Sequence, residues 1–122
     1  MQNTKKGRLK MSLFDQLNTA ENSNEAATNE KHLPIITTEK LSSDKLKVKV
    51  DVGGGKHPNE MDHWIQWVEL QINGLFIART EFSAFISDPV AEFIVNSNQA
   101  CKIGALARCN KHGLWKSEVD FS

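Results

Sequence analysis

The sequence predicts an all-β protein: an immunoglobulin-like β-sandwich or barrel of about seven strands with a flexible N-terminal tail. Beyond residue 30, apolar residues recur with a period of two in short runs that turn residues separate. No run in that region shows the longer period of an amphipathic helix. The 122 residues suffice for a single domain with one modest core. We therefore expect a flexible extension over residues 1–29 and one β-sandwich domain over residues 30–122.

The extension differs in composition from the rest of the chain. Asn, Thr, Ser, Glu and Ala dominate residues 18–29, which is typical of segments that bury little surface. Only Leu13, Phe14 and Leu17 could form a brief amphipathic helical turn there. This stretch is too short and too polar for the apolar part of a secretory signal, so we expect a cytoplasmic protein.

Charge and hydropathy exclude two classes of partner. Fifteen Lys and Arg balance fifteen Asp and Glu, whereas a nucleic-acid-binding domain usually carries a basic face. No apolar run approaches the ~18 residues that a membrane-spanning helix needs. We therefore expect a soluble protein that binds neither nucleic acid nor a membrane.

Alternation is strictest in residues 45–52, where four apolar side chains, Leu46, Val48, Val50 and Val52, share one face. Three glycines then end this strand. Residues 63–72 read as a second alternating strand, with Ile65 and Trp67 on the face opposite Val68 and Leu70. Asn73-Gly74 is typical of a hairpin turn that leads into a partner strand over residues 75–87. The other predicted strands cover residues 35–37, 92–95, 102–108 and 114–119.

The two cysteines, Cys101 and Cys109, do not suit an intrachain disulfide. Within one strand their eight steps of ~3.3 Å separate them by roughly 26 Å. A disulfide requires Cα atoms within ~7 Å of each other. Free thiols or a metal ligand are the better interpretations, and both fit a reducing compartment.

The four histidines of the chain all fall in predicted loops or at strand ends: His32, His57, His63 and His112. His57 and His63 bracket one connection, and His112 follows Cys109 at a spacing from which a tight turn directs both side chains to one centre. Each histidine taken alone could be an ordinary polar residue, and each cysteine a small buried apolar one. Gathered in three short motifs, four imidazoles and one thiol also fit a metal site.

Cations precede four of these five residues: Lys31, Lys56, Arg108 and Lys111. Added positive charge near a metal is unfavourable unless the site attracts an anion, although strand alternation could also direct these side chains elsewhere.

The types of ligand indicate which metal the site would prefer. Structural zinc prefers four ligands, whereas imidazoles with one thiolate suit iron or copper, and five ligands leave one octahedral position vacant.

Three motifs together resemble superoxide reductases of the neelaredoxin type, the single-iron relatives of desulfoferrodoxin. They are Glu30-Lys31-His32-Leu33-Pro34, Lys56-His57-Pro58 with His63 six residues on, and Ala-Arg-Cys-Asn-Lys-His-Gly-Leu-Trp over residues 107–115. The resemblance covers residues 30–121, without the cysteine-bearing N-terminal domain of desulfoferrodoxin. Asn59, Trp64 and Lys111 stand where the family commonly has an apolar residue such as Met, a Tyr and a Leu.

The resemblance implies an immunoglobulin-like fold and a mononuclear non-haem iron, Fe2+/Fe3+. The implied ligands are four equatorial histidines and one axial cysteine, namely His32, His57, His63, His112 and Cys109. It also implies that the Glu30 carboxylate fills the sixth position in the oxidised state. Lys31 would be the cation that attracts superoxide to the open site and helps to protonate the bound product.

On this basis the sequence predicts a superoxide reductase. It would reduce superoxide by one electron to hydrogen peroxide, take electrons from a rubredoxin-like donor and form a homo-oligomer, either a dimer or a tetramer. One alternative is a non-haem iron protein for electron transfer or for sensing oxygen species. The other is a non-catalytic β-sandwich interaction module whose histidines are incidental, or a zinc-stabilised version of it.

Overall fold

The structure, a computed structural model, describes residues 14–22, 31–97, 99 and 101–122. Eight strands in these ranges form two sheets. They are β1 (Leu17–Asn18), β2 (Pro34–Ser42), β3 (Lys45–Val52), β4 (Ile65–Ile72), β5 (Leu75–Glu81), β6 (Val90–Asn96), β7 (Cys101–Cys109) and β8 (Gly113–Phe121). The larger sheet has the order β1-β8-β7-β4-β5, and the smaller one has the order β2-β3-β6. The prediction of an all-β fold is confirmed, and each of the seven predicted strands is present.

One hydrophobic core lies between the two sheets. The alternating residues of β3 supply one side of it, and β4 and β7 supply most of the other. The buried β3 residues are Leu46, Val48, Val50 and Val52, as their alternation predicts. The small side chains Ala105 and Ala107 on β7 are fully buried in this core. Cys109, the last residue of β7, belongs to the same core cluster, so the core extends directly to the end of the sandwich that carries the histidines.

A bulge in β4 changes which residues face the core. Ile65 pairs with Cys109 and Trp67 pairs with Arg108, so Gln66 is the extra residue between them. The predicted alternation placed Ile65 on the face opposite Val68 and Leu70. That prediction is wrong, since all three are buried in the core. The bulge therefore buries Ile65 directly beside Cys109.

Two turns follow the sequence prediction. Asn73 and Gly74 both have positive φ, at 52° and 81°, as a type I′ hairpin turn requires. A single 3-10 turn over Gly53–Gly55 ends β3. The partner strand β5, however, ends at Glu81 and not at the predicted residue 87. Residues 82–89 form a loop, and Asn59 from the connection between β3 and β4 is hydrogen-bonded to its backbone.

The described part of the N-terminal extension also differs from its prediction. The brief helical turn is absent from residues 14–22, and Leu17–Asn18 form a short strand parallel to β8. The side chain of Asn18 is fully buried, which an amphipathic turn built on Leu13, Phe14 and Leu17 would not achieve. The predicted boundary between residues 29 and 30 lies outside the described residues.

Cys101 and Cys109 are free thiols at opposite ends of β7, as predicted. Among the described residues, no helix is long and apolar enough to cross a membrane.

Candidate metal centre

Four histidines and one cysteine meet at one end of the sandwich. His32 lies just before β2, His57 and His63 lie in the connection from β3 to β4, and His112 lies in the turn from β7 to β8. Cys109 is held by its pairing with Ile65 on one side and Gly113 on the other. The structure therefore places together all five residues that the sequence singles out as metal ligands.

The ligand atoms converge closely. One donor atom from each of His32, His63, Cys109 and His112 lies within 4.8 Å of the other three. His112 directs its Nδ1 atom inwards, at 3.1 Å from Nε2 of His32 and 3.9 Å from Sγ of Cys109. His57 completes the group, because its Nε2 atom lies 3.3 Å from the same sulfur.

The protonation state of His57 suits a metal ligand. Its Nδ1 atom lies 2.6 Å from the carbonyl oxygen of Pro58, which can only accept a hydrogen bond. Burial, followed by the neighbouring His32, lowers the pKa of His57 from 6.5 to about 4. The ring is therefore neutral near pH 7 with its proton on Nδ1, so the lone pair of Nε2 faces the sulfur. A backbone carbonyl that fixes the tautomer of a ligating histidine is a common support in metal sites.

The separations between these atoms fit a single metal ion. Metal–nitrogen bonds of about 2.1 Å place adjacent ligands about 3 Å apart and opposite ligands about 4.2 Å apart. The observed 3.1 Å between His112 and His32 corresponds to adjacent ligands. The buried Nε2 atom of His63 has no hydrogen-bond partner among the described residues. A buried nitrogen without a partner is costly, and a metal ion at the centre of the cluster would satisfy it.

The surroundings of Cys109 both oppose and support a thiolate. Burial, the largest effect, raises the pKa of this thiol above its ordinary value. Backbone N–H groups of Lys111 and His112 donate to the sulfur and act in the opposite direction, as does the charge of Lys111. A coordinating cation deprotonates a thiol outright, so these two N–H groups would support the anionic sulfur once a metal is bound.

A tight turn and one asparagine position His63. Glu60 and His63 exchange two backbone hydrogen bonds at 2.9 and 3.2 Å, which close a two-residue turn. The side chain of Asn110 donates to the carbonyl of Asp62 at 3.0 Å and accepts from the N–H of Trp64, also at 3.0 Å. Asn110 thus clamps the residues on both sides of His63 to the turn that carries Cys109 and His112.

Trp115 supports two of the histidines. Its ring stacks on His32 with centroids 4.7 Å apart and an interplanar angle of 18°. Its indole N–H donates to the backbone carbonyl of His112 at 3.1 Å.

Gly53 lies against the segment that carries His32. It has a φ of 73°, and its N–H donates to the carbonyl of Leu33. A Cβ atom at Gly53 would collide with the carbonyl of Lys31, so glycine allows the two segments to approach.

Asn59 and Trp64 join the histidine-bearing connection to the loop after β5. Asn59 donates to the carbonyls of Phe85 and Ser87 at 3.2 and 3.1 Å. The indole N–H of Trp64 donates to the carbonyl of Phe82 at 3.3 Å. Both side chains thus hold this loop beside the cluster.

The predicted cations do not all lie at the cluster. The charge of Lys111 acts on both His63 and Cys109, and its exposed side chain borders the site. Lys31 and Lys56 are exposed beside His32 and His57. Arg108 instead stacks on the ring of Phe14, 4.8 Å from its centroid, and belongs to another surface. Glu30 lies outside the described residues.

The sequence gives no individual signal for several supporting residues. Asn110 and Trp115 fall inside a recognised motif, but only the fold shows what they contact. Gly53 is one of three glycines whose predicted role is only to end β3. Asn18 sits in a polar segment, and no sequence signal connects it with the site.

The fold and the site define a class of protein: a two-sheet β-sandwich with a cluster of buried and half-buried His and Cys side chains at one end that could hold a metal ion. The family model described as Desulfoferrodoxin matches residues 24–118, and the chain belongs to that family. It is 37% identical over 102 residues to a superoxide reductase of Pyrococcus horikoshii, covering 75% of this chain and 88% of the relative. It is 39% identical over 100 residues to one from Thermococcus kodakarensis, covering 74% and 86%.

Solved structures show the same relationship. The superoxide reductase from Nanoarchaeum equitans has a TM-score of 0.69 at 38% identity, covering 76% of this chain and 94% of that one. The superoxide reductase (neelaredoxin) from Ignicoccus hospitalis has a TM-score of 0.76 at 26% identity, covering 87% and 94%. The predicted resemblance to this group is therefore confirmed.

Proposed function

We propose that the protein is a superoxide reductase whose mononuclear non-haem iron is held by His32, His57, His63, His112 and Cys109. The observation that carries the proposal is the convergence of four imidazoles on one buried thiol in a chain of the desulfoferrodoxin family. Iron bound there would supply one electron to superoxide, and two protons would complete hydrogen peroxide. An external donor would then return the electron.

The residues of the chain favour this chemistry in three ways. With iron bound, neutral imidazoles and a single thiolate would leave a ferrous site with a net charge of about +1, which would attract an anion. The buried sulfur, supported by two N–H groups, would hold the iron as a thiolate and would tune its redox properties by donating charge to it. The packed core beneath Cys109 leaves the solvent side of the cluster as the route of approach.

Lys31 and Glu30 are proposed to act at the open position. Lys31 is exposed next to the buried His32, where an ammonium group can draw in superoxide and supply a proton. Glu30 is proposed as the carboxylate that fills the sixth position after oxidation.

A rubredoxin-like protein is the proposed donor, and a dimer or tetramer in the cytoplasm is the proposed assembly. The balance of the reaction requires an external donor of some kind, because a reductase that makes no oxygen must receive its electron from elsewhere. Electron transfer alone, sensing and a non-catalytic interaction role are the competing functions.

The decisive experiment combines metal analysis with product stoichiometry. The iron-loaded protein, supplied with excess reductant, is exposed to a superoxide source while hydrogen peroxide and oxygen are measured. A reductase yields one hydrogen peroxide per superoxide and no oxygen. Equal amounts of oxygen and hydrogen peroxide would identify a dismutase, and no acceleration would leave the electron-transfer or interaction roles. Zinc in place of iron in the purified protein would favour a structural site.

A further inference from the structure

The segment over residues 14–22 precedes the part of the chain that the family model matches, yet it contacts the backbone beside the histidine and cysteine side chains of the candidate site. Its strand β1 adds to the edge of the larger sheet, with Leu17 paired to Leu114 and Asn18 paired to Trp115. Phe14 packs on Arg108, the neighbour of Cys109, from the same segment. The segment therefore lies along the strand that follows His112.

Asn18 carries the contact with the site. Its side chain is fully buried, and its amide nitrogen lies within hydrogen-bond distance of three carbonyls: that of Leu114 at 3.0 Å, that of Gln16 at 3.3 Å and, most weakly, that of His112 at 3.5 Å. The side chain of Gln16 donates to Oδ1 of Asn18 at 2.7 Å, which fixes the amide so that its nitrogen faces these carbonyls. A buried amide with this set of partners has one orientation available.

The carbonyl of His112 accepts the indole N–H of Trp115 and makes a longer contact with the amide of Asn18, whose shortest hydrogen bond holds the carbonyl of Leu114 two residues further on. Because Nδ1 is the ring nitrogen closest to its own backbone, a shift of the His112 backbone moves the ligand atom almost directly. The 3.1 Å contact between Nδ1 of His112 and Nε2 of His32 depends on that position.

We propose that Asn18 is a positioning residue for the metal centre, and that β1 holds His112 in its ligand position through this buried amide. The inference rests on the proposed role of His112 as a metal ligand, although not on the reduction of superoxide. Asn18 and Trp115 divide the task. Trp115 fixes the carbonyl from within the core and stacks on His32, while Asn18 fixes the same turn from the N-terminal segment.

Cobalt binding tests the proposal without any enzymatic readout. The full-length protein is freed of metal and titrated with Co2+ against a competing chelator, and the thiolate and ligand-field absorption bands are recorded. Asn18→Leu keeps the volume but removes both donors, and we expect about tenfold weaker Co2+ binding with shifted bands, as for other residues that orient a ligand. Gln16→Leu should shift both readouts in the same direction by less.

A core variant separates positioning from general loss of stability. Leu46 lies at the opposite end of β3 from the cluster, so Leu46→Ala should lower thermal stability while leaving the Co2+ affinity and spectrum of the folded protein unchanged. Unchanged Co2+ affinity and bands in both Asn18→Leu and Gln16→Leu would overturn the inference and leave the proposed function intact. Equal losses in Asn18→Leu and Leu46→Ala would also overturn it. Failure of the unmodified protein to bind Co2+ or iron would overturn both.

Discussion

The Nε2 atom of His57 lies 3.3 Å from the Sγ atom of Cys109, although 52 residues separate them in the chain. The carbonyl of Pro58 holds the opposite ring nitrogen, so the lone pair of His57 faces the sulfur. Each partner is placed by a different sheet, since His57 follows a strand of the smaller sheet and Cys109 ends a strand of the larger one. The proposed metal centre is thus built across the interface between the two sheets.

Replacement of Cys109 with Ser should abolish the visible absorption that a ferric thiolate gives the oxidised, iron-loaded protein. A serine hydroxyl neither ionises readily nor donates comparable charge to iron. Cys101→Ser is the matched control, because Cys101 lies at the far end of β7 and should leave the absorption unchanged. A reversed pattern in the two spectra would assign the sulfur ligand to Cys101.

His63→Ala should weaken iron retention, measured as the rate at which a chelator removes iron from the reduced protein. Among the described residues, the buried Nε2 atom of His63 has no hydrogen-bond partner, so it is free to bind a metal ion. Removing the imidazole takes away that metal ligand. We expect a loss of tenfold or more in retention, in the range typical of disrupted metal sites. Full iron occupancy with an unchanged spectrum would remove His63 from the ligand set.

Lys31→Ala and Glu30→Ala should separate two proposed roles. Loss of the Lys31 charge should lower the second-order rate with superoxide and flatten its dependence on ionic strength, because less steering charge remains to be screened. Glu30→Ala should keep that rate and make the spectrum of the oxidised protein more dependent on pH. Pulse radiolysis at two ionic strengths measures both variants. An unaffected rate in Lys31→Ala with a lost rate in Glu30→Ala would reject both assignments.

The metal-free protein should lose stability as the pH falls from about 6.5 towards about 4. Burial and the neighbouring histidines lower the pKa of His57 from 6.5 to about 4, so in this interval the unfolded chain binds a proton that the folded chain does not. Falling pH therefore favours unfolding, and the effect is complete below the folded-state pKa. Urea denaturation of chelator-treated protein across this interval measures it. His57→Gln should flatten the dependence, and an equally steep one would exclude His57 as its source.

Gly53→Ala should destabilise the protein by more than about 1 kcal/mol, since it combines a positive φ with a collision against the carbonyl of Lys31. Gly55→Ala is the control, because it carries a similar φ of 86° but has nothing within 4 Å of the added Cβ. Urea denaturation compares the two. Iron retention should fall only in Gly53→Ala, where the segment that carries His32 must move. Equal losses of stability in both variants would show that the positive φ alone, and not the contact with Lys31, requires glycine at position 53.

Much of the fold could be predicted because local patterns encode it. The bounds of β3 were predicted without error, since alternating apolar residues and three glycines specify both its face and its end. The bulge in β4 was missed because Gln66 looks like any other strand residue, and only pairing with β7 reveals it as the extra one. The sequence predicts strand for the loop after β5 because apolar residues continue to residue 86. In the structure Asn59 and Trp64, which lie in a different connection, are hydrogen-bonded to backbone carbonyls of this loop, and no local pattern shows those contacts.

By itself the sequence determined which residue types the proposed site contains and that they fall at the ends of strands, because histidine, cysteine and turn residues carry that information locally. The tertiary structure alone decided how those side chains are oriented. Asn110 clamps a turn 48 residues away, and Asn18 reaches Leu114 across 96 residues. Such contacts depend on which strands become neighbours, and that choice follows from burying one shared core and not from any short stretch of sequence.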